Sequence, residues 1–303
     1  MRYEFIRCVC AIVVVAGLSC AVSEESQVEA GLTPSPDVLA QSETPTSAVT
    51  VAKAALPEFS FPVGEILVYS VHWGFLYVGE VRIWNELVEE EGRTLLAIRV
   101  RVTTESILEK LFPVDDFIES IVEPQTLLPL RFTRRLSEGR YRLHEVTTFD
   151  HTALSAHWKH LLRENSEEVF PIEADTRDMI SFMYHMRGYD WQPDSELFGR
   201  VMANEKLYDL VAQIRQYEEI KLPKYGSVRS LLIEPEAKFK GAFINAGRLR
   251  VWISDDKRCL CTMATAKVPV GTVRVMLRRV EGPGQDRWLT QTAAKSEEGE
   301  SDE

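Results

Sequence analysis

The side chains in this sequence that could do chemistry are mostly acids and histidines on short apolar segments. Asp116, Glu119 and His144 form the set in which two carboxyls and an imidazole could meet, as general acid–base hydrolysis requires. Hydrolysis of a polymer by this set is the weakest of the three functional interpretations that we consider for the sequence. Glu65 and Glu80 each follow a glycine and form a second carboxylate pair. Because such carboxylates usually lie on a solvated sheet face, we assign no catalytic residue.

Metal ligation is the second chemistry to consider. Four of the six histidines lie between residues 144 and 160, but His157 and His160 would point to opposite faces of one strand. Cys259 and Cys261 form a single Cys-x-Cys pair, which supplies too few ligands for a closed zinc site. We interpret these two cysteines as small apolar side chains on one strand face. The sequence predicts no metal site and no cofactor.

The elements that position these residues are predominantly strands. The segment Phe61–Trp84 contains two alternating apolar runs that meet at a glycine-containing turn, which predicts a β-hairpin. Similar runs recur as far as Glu281. They predict a mostly β fold: a large curved antiparallel sheet, half-barrel or sandwich-like, in which consecutive strands pair.

One helix interrupts the strands, at about residues 176–187. Apolar residues recur there at helical spacing, Asp175 and Asp178 resemble a capping box, and Gly188 is a plausible stop. We expect this helix to pack on the sheet. A curved sheet around a helix can leave a concave cavity for an apolar ligand. The residues predicted to line such a site are Tyr69, Trp73, Met179, Phe182, Met183, Met186 and Trp252.

The net charge bears on the class of partner, and the composition of residues 1–57 indicates an exported protein. The net charge of −11 among 303 residues argues against a nucleic-acid partner. Residues 1–21 resemble a signal peptide, with Cys20 as a lipidation candidate, and residues 22–57 have the composition of a disordered linker. Residues 58–281 form the predicted β-rich domain, and 282–303 an acidic tail. We expect a periplasmic or outer-membrane-associated protein that contacts the membrane only through an N-terminal lipid anchor.

Several segments in this order resemble a bacterial envelope family. They are Val63-Gly-Glu-Ile-Leu-Val-Tyr69, Val78-Gly-Glu80, Asp116 before Phe117-Ile-Glu-Ser120, Asp178-Met-Ile-Ser-Phe-Met-Tyr-His-Met-Arg187, Val251-Trp-Ile-Ser-Asp-Asp256 and Lys267-Val-Pro-Val-Gly-Thr-Val273. The family is DUF3108, a domain of unknown function. The resemblance implies a secreted, β-rich envelope domain and carries no catalytic assignment.

These observations favour a non-catalytic envelope protein. Our first hypothesis is that it binds a hydrophobic ligand, a lipid or acyl chain, or a partner protein, on the concave side of the sheet. The alternative is a structural or assembly module that docks by strand addition at a sheet edge. Hydrolysis of an envelope polymer is the third.

Overall fold

The fold is one open, curved sheet with a helix packed on it. The computed structural model describes residues 56–105, 109–110, 112–203, 206–239, 242–244, 249–268 and 271–283. The predicted signal peptide, most of the predicted linker and nearly all of the acidic tail lie outside these residues. Within them the sheet has 16 strands. The predicted fold class, mostly β with a curved antiparallel sheet and one main helix, is confirmed.

The first eight strands form the N-terminal meander, in which each strand pairs antiparallel with the next. Their alternating apolar residues and short connections favour this consecutive pairing. The strands are β1 (Ile66–Trp73), β2 (Leu76–Glu90), β3 (Arg93–Thr104), β4 (Asp115–Val122), β5 (Pro129–Glu138), β6 (Tyr141–Asp150), β7 (Ser155–His160) and β8 (Glu167–Pro171).

The remaining elements form the C-terminal meander. They are β9 (Arg177–Asp178), α1 (Met179–Met186), β10 (Glu196–Ala203), β11 (Lys206–Leu222), β12 (Gly226–Phe239), β13 (Ala242–Ile244), β14 (Leu249–Ser254), β15 (Cys261–Val268) and β16 (Gly271–Glu281). Strand β9 pairs parallel with β10, and the other pairs are antiparallel. Strand β13 pairs with β12 beside the main path of the sheet.

The first and last strands join the two meanders. Strand β1 pairs with β2 on one side and with β16 on the other, so the sheet runs from β8 to β1 and then from β16 back to β9. Tyr69 and Leu277 are register partners across this junction. Two halves that are distant in sequence therefore become one continuous sheet.

The main hydrophobic core takes its residues from both meanders and from α1. Val71 and Ile118 from the N-terminal meander and Leu277 from the C-terminal meander are almost completely buried in it. Helix α1 contacts β4 in one meander and β10 in the other. The helix therefore bridges the two halves of the sheet from the core side.

Helix α1 begins later than the sequence predicts. Its N-cap is Asp178, whose Oδ1 accepts the backbone N–H groups of Ile180 and Ser181 at 2.8 and 3.0 Å. The reason is that Arg177 and Asp178 are extended and pair with β10, which delays the first helical turn. No helix in the described part of the chain has both the length and the hydropathy needed to cross a lipid bilayer.

Candidate functional site

The residues that the sequence predicts for a ligand site lie mainly in the core. Three are buried in the main core and three are partly buried against it: Tyr69, Met179 and Trp252 in the first group, and Trp73, Phe182 and Met183 in the second. The indole Nε1 of Trp252 donates to Glu218 Oε2 at 2.8 Å. In this structure these side chains form or border the main core, and their role in binding stays a prediction.

A second, smaller core cluster contacts α1 on another side. Its buried members are Leu197, Ala212, Ile214, Leu231 and Ile233. The residues that pack against it are Phe182, Met186, Trp191, Tyr217 and Ile253. Two predicted residues of the helix, Phe182 and Met186, thus pack against the same cluster as three residues that sequence reasoning did not select.

A cleft of about 420 Å³ opens beside this second cluster, and we call it the α1 cleft. Its apolar wall consists of Trp191, Tyr217, Leu231 and Ile253, all of which belong to or pack against the second cluster. Its rim is polar and is formed largely by residues 254–257, at the end of β14 and in the turn towards β15. The cleft therefore has an apolar side and a charged side.

Specific contacts hold the aromatic rings of the wall. The chain turns sharply after α1, and the indole Nε1 of Trp191 donates to the carbonyl of Met186 at 3.2 Å. The rings of Tyr189 and Trp191 meet edge to face, with centroids 5.0 Å apart. The Arg229 guanidinium lies 3.9 Å from the centroid of the Tyr217 ring. A wall fixed in this way loses little conformational entropy when a ligand binds.

The polar rim is braced by its own hydrogen bonds. The Asp256 carboxylate accepts the Ser254 hydroxyl at 2.8 Å, and its other oxygen accepts Arg258 Nη2 at 3.0 Å. Asp255 forms an ion pair with Arg229 at 2.9 Å. Lys257 directly follows these two acids in sequence and is exposed at the rim. Its ammonium is therefore available to a ligand's anionic group.

A buried ion pair lies at the base of the cleft. Arg187 Nη1 and Nη2 donate to the two oxygens of Glu65 at 2.6 and 3.3 Å, and its Nε donates to the Arg258 carbonyl at 3.0 Å. Burial lowers the pKa of Arg187, but the Glu65 charge, the hydrogen bonds to Glu65 and smaller effects of Tyr184 and Tyr69 together raise it above its ordinary value, so the guanidinium stays charged. It also lies over the rings of Phe61 and Tyr184, at 5.2 and 5.4 Å from their centroids. These contacts tie the segment before β1 to the end of α1.

Cys259 also lines the cleft, and it lies outside the strand in which it was expected. Its backbone has a φ of 46°, in the turn before β15, whereas Cys261 opens that strand. The thiol donates to the Asp256 carbonyl at 3.4 Å. Burial, followed by the nearby Asp256 charge, raises the pKa of the Cys259 thiol. The thiol therefore stays protonated at neutral pH and is a poor nucleophile.

Comparison with known proteins assigns the family. The model of a family described as "Protein of unknown function (DUF3108)" matches residues 68–278. The chain belongs to the DUF3108 family. No curated protein matches it. Among solved structures it is similar to the crystal structure of a beta-barrel-like protein of domain of unknown function DUF1849 from Brucella abortus. That pair is 8% identical with a TM-score of 0.50 over 75% of this chain and 99% of the other, so the similarity concerns the fold.

In this DUF3108 protein, the acid–histidine set suggested for hydrolysis is not brought together. Asp116 is buried on the core side of β4, where its Oδ1 accepts the Ser137 N–H at 2.7 Å. Glu119 and His144 lie on the opposite face, because register links Phe117 to Arg135 and Arg135 to His144. Since neighbouring residues of a strand face opposite ways, this hypothesis of a shared acid–base site is wrong.

The second carboxylate pair is also separated in this DUF3108 protein. Glu65 is buried against Arg187, whereas Glu80 lies on the outer face of β2, 3.5 Å from Arg278. His157 is exposed and His160 is buried, on opposite faces of β7. In the part of the chain that the structure describes, no group of three His, Cys, Asp or Glu side chains has the proximity that a metal ion requires.

Proposed function

We propose that this DUF3108 protein is a non-catalytic binding protein of the bacterial envelope and that the α1 cleft holds an amphiphilic ligand. The observation that supports this proposal is the division of the cleft into an apolar wall and a charged rim. Its volume of about 420 Å³ lies within the range of small-molecule sites. An acyl chain would lie on Trp191, Tyr217 and Ile253, and its polar head would meet the rim near Lys257.

The residues predicted for the site have supporting positions in this proposal. Phe182 and Met186 pack behind the apolar wall through the second cluster. The others form or border the main core that carries α1: Tyr69, Trp73, Met179, Met183 and Trp252. The ligand therefore binds at the end of the helix, and the helix face that the sequence selected holds the wall in place.

Docking by strand addition has less support. One end of the sheet is β8, which carries Glu167, Glu168 and Pro171. The other end is β9, which has two residues. Charges, prolines and very short edge strands are features by which proteins discourage pairing with another chain. We therefore favour the cleft over the sheet edges as the site of binding.

Titration of the full chain with a single-chain lysophospholipid, below the concentration at which it forms micelles, tests the proposal. Isothermal titration calorimetry measures binding, because its signal does not depend on Trp191, which one of the variants removes. We expect Trp191→Ala to weaken binding about tenfold or more, since the large, partly buried ring on which the acyl chain would lie is lost. Ile253→Glu should abolish binding, because it places a charge on the apolar wall. Phe198→Ala removes an aromatic ring that is 68% exposed on β10 and is the matched control.

Two results would contradict the proposal. One is that wild-type protein binds no lysophospholipid. The other is that Trp191→Ala and Ile253→Glu bind it as tightly as Phe198→Ala does. Circular dichroism of each variant separates a lost site from a lost fold. Native mass spectrometry of the protein purified from envelope extracts would then identify the ligand by its mass.

Export is the remaining part of the proposal. It rests on the composition of residues 1–21 and on Cys20, all of which lie outside the described residues. We expect the mature protein to begin after Ala21, or at Cys20 carrying acyl chains. Intact mass of protein from cells distinguishes the two outcomes, and Cys20→Ser should remove any acyl mass. A mature chain that retains residues 1–19 would contradict export by this route.

A further inference from the structure

An apolar hairpin tip lies at the opposite end of β1 from the α1 cleft. Ser60, which lines the cleft, precedes β1, whereas Phe75 follows it in the turn to β2. The Phe75 side chain is 100% exposed and that of its neighbour Leu76 is 44% exposed. Two adjacent exposed apolar side chains at the tip of a hairpin form a small protruding apolar patch that can insert into an apolar environment.

The tip is held rigidly by the neighbouring strand. Trp73 and Leu76 are register partners, which leaves Gly74 and Phe75 as the turn, and Gly74 has a φ of 59°. The Gly74 N–H donates to the Thr272 carbonyl of β16 at 2.9 Å. The adjacent strand therefore fixes the direction in which Phe75 points, and little ordering remains to be done on binding.

Positive charge borders the tip, although the whole chain carries a net charge of −11. Lys267 is the register partner of Thr272, and Arg274 follows Thr272 by two residues, so both cations lie on the same face. Both are exposed. Glu105, which follows β3, accepts the Tyr77 hydroxyl at 2.9 Å. An apolar tip beside cations matches the surface of an anionic bilayer, with its acyl region under acidic head groups.

We propose that the Gly74–Leu76 turn docks this protein on an anionic membrane surface, with Phe75 inserted between lipids and Lys267 and Arg274 on the head groups. This site is separate from the α1 cleft and does not depend on it. It would orient the cleft away from the bilayer, at the other end of β1. The proposed occupant is a lipid surface, because a rigid single-ring tip is small for a protein interface.

Co-sedimentation with vesicles tests the docking site. All variants carry Cys20→Ser, so that no acyl chain contributes, and the vesicles contain phosphatidylcholine alone or with about one third phosphatidylglycerol. We expect binding to the anionic vesicles only, and weaker binding at high salt. Phe75→Ala should lower the partition constant about tenfold, which is the loss expected for one buried phenyl ring. Lys267→Glu and Arg274→Glu should each lower it at least about fivefold.

Controls make the test decisive. Phe198→Ala, the exposed aromatic on β10, should bind vesicles like the parent. The proposal is overturned if the parent binds no anionic vesicles, or if Phe198→Ala weakens binding as much as Phe75→Ala. It is also overturned if Trp191→Ala, and not Phe75→Ala, removes binding, because the lipid would then be entering the cleft.

Discussion

Arg187 places a full positive charge where almost no water reaches. The residue is 7% exposed and its partner Glu65 is 0% exposed. Desolvating two ions is expensive, and their attraction compensates for it only when the geometry is good and the remaining donors are satisfied. Here the forked contact aligns the two ions, and the bond from Nε to the Arg258 carbonyl satisfies a third donor. The pair is therefore a device for fixing the end of α1 against the start of β1.

Breaking that pair should be severe. Arg187→Met should destabilise the fold by about 3–5 kcal/mol, because it leaves the Glu65 charge buried without a partner. Adding Glu65→Gln to Arg187→Met should recover part of the loss. Urea denaturation of the three proteins measures both effects.

The control is Arg200→Met. Arg200 forms ion pairs with Asp175 and Asp209 near the surface, and its loss should cost less than about 1 kcal/mol. Equal losses for Arg187→Met and Arg200→Met would contradict the structural role of the buried pair.

The helix cap Asp178 predicts a pH dependence. Burial raises the pKa of Asp178 above its ordinary value of 3.8, although the hydroxyls and N–H groups of Ser120, Ser181 and Ile180 partly oppose the rise. A raised carboxyl pKa means that the folded state binds the proton more tightly. This stabilisation is complete below about pH 3.8 and is lost as the pH rises through the folded-state pKa. Asparagine does not titrate, so Asp178→Asn does not lose stability in this way. The free energy of unfolding of Asp178→Asn relative to that of wild type should therefore increase as the pH rises.

Asp115→Asn gives the opposite sign and serves as the control. The Arg101 guanidinium that donates to Asp115 lowers the pKa of that carboxyl, so its stabilising contribution appears above the ordinary pKa. Relative to wild type, Asp115→Asn should lose stability as the pH rises. Denaturation of both variants between about pH 3.5 and 7 measures the two trends. Parallel trends for the two variants would contradict the assignment.

At the scale of residues, the sequence drew attention to some side chains of the site but did not predict which other side chains they contact. Glu65 and Arg187 each lay in a segment that resembles the family, yet they are 122 residues apart. No local spacing predicts such a pair. Trp191 and Ile253 were missed as wall residues for the same reason, because the wall exists only where α1 ends beside β12 and β14.

At the scale of elements, the contact between α1 and β10 depends on a missing side chain. A Cβ atom built at Gly199 would lie 2.4 Å from Cε2 of the Phe182 ring, which is far inside contact distance. The glycine therefore lets the helix approach the strand. Gly188 offers a contrast, since its nearest neighbour would be the Ser60 Oγ at 3.4 Å.

This geometry predicts a compensating pair. Gly199→Ala should destabilise the fold by about 1–3 kcal/mol through overpacking. The same change in a Phe182→Leu background should cost less, because the smaller side chain leaves room. Gly188→Ala should have a small effect. A double-mutant cycle by chemical denaturation gives the coupling, and additive losses would show that the ring and the glycine do not meet.

The elements themselves were largely predictable from sequence. Alternation along Phe61–Trp84 predicted the β1–β2 hairpin, and helical spacing predicted α1. The start of α1 was misplaced because the parallel pairing of β9 with β10 competes with the helix. Nothing in the residues of β9 alone shows that competition.

At the scale of the molecule, the sheet order predicts how the protein unfolds. The main core contains residues of both meanders, and β1 pairs with β16 along its whole length. Neither meander should therefore be stable without the other. We expect one cooperative transition, with coincident midpoints by circular dichroism, tryptophan fluorescence and the hydrogen exchange of amides in β4 and β11.

A core variant in the last strand sharpens this test. Leu277→Ala on β16 should cost about 2–5 kcal/mol and should shift the midpoints of both meanders equally. Two separate transitions, with the N-terminal meander surviving the loss of the C-terminal one, would contradict a single folding unit.

The consecutive pairing within each meander followed from the sequence, but the junction between them did not. The Ser70 hydroxyl donates to the Met276 carbonyl across a separation of 206 residues. Many strands have suitable apolar faces, so local pattern does not select this partner. Only the packing of the whole core does.

The β1–β16 junction also constrains biogenesis. A ribosome completes β1 long before it reaches β16, the strand that covers the other side of β1. Until β16 is made, the backbone N–H and C=O groups on one edge of β1 have no native hydrogen-bond partner. An extended segment of another nascent chain can then pair with this edge in place of β16. A chain that is truncated just before Gly271 should therefore aggregate. A chaperone that binds the unfolded chain would prevent this most effectively by covering β1.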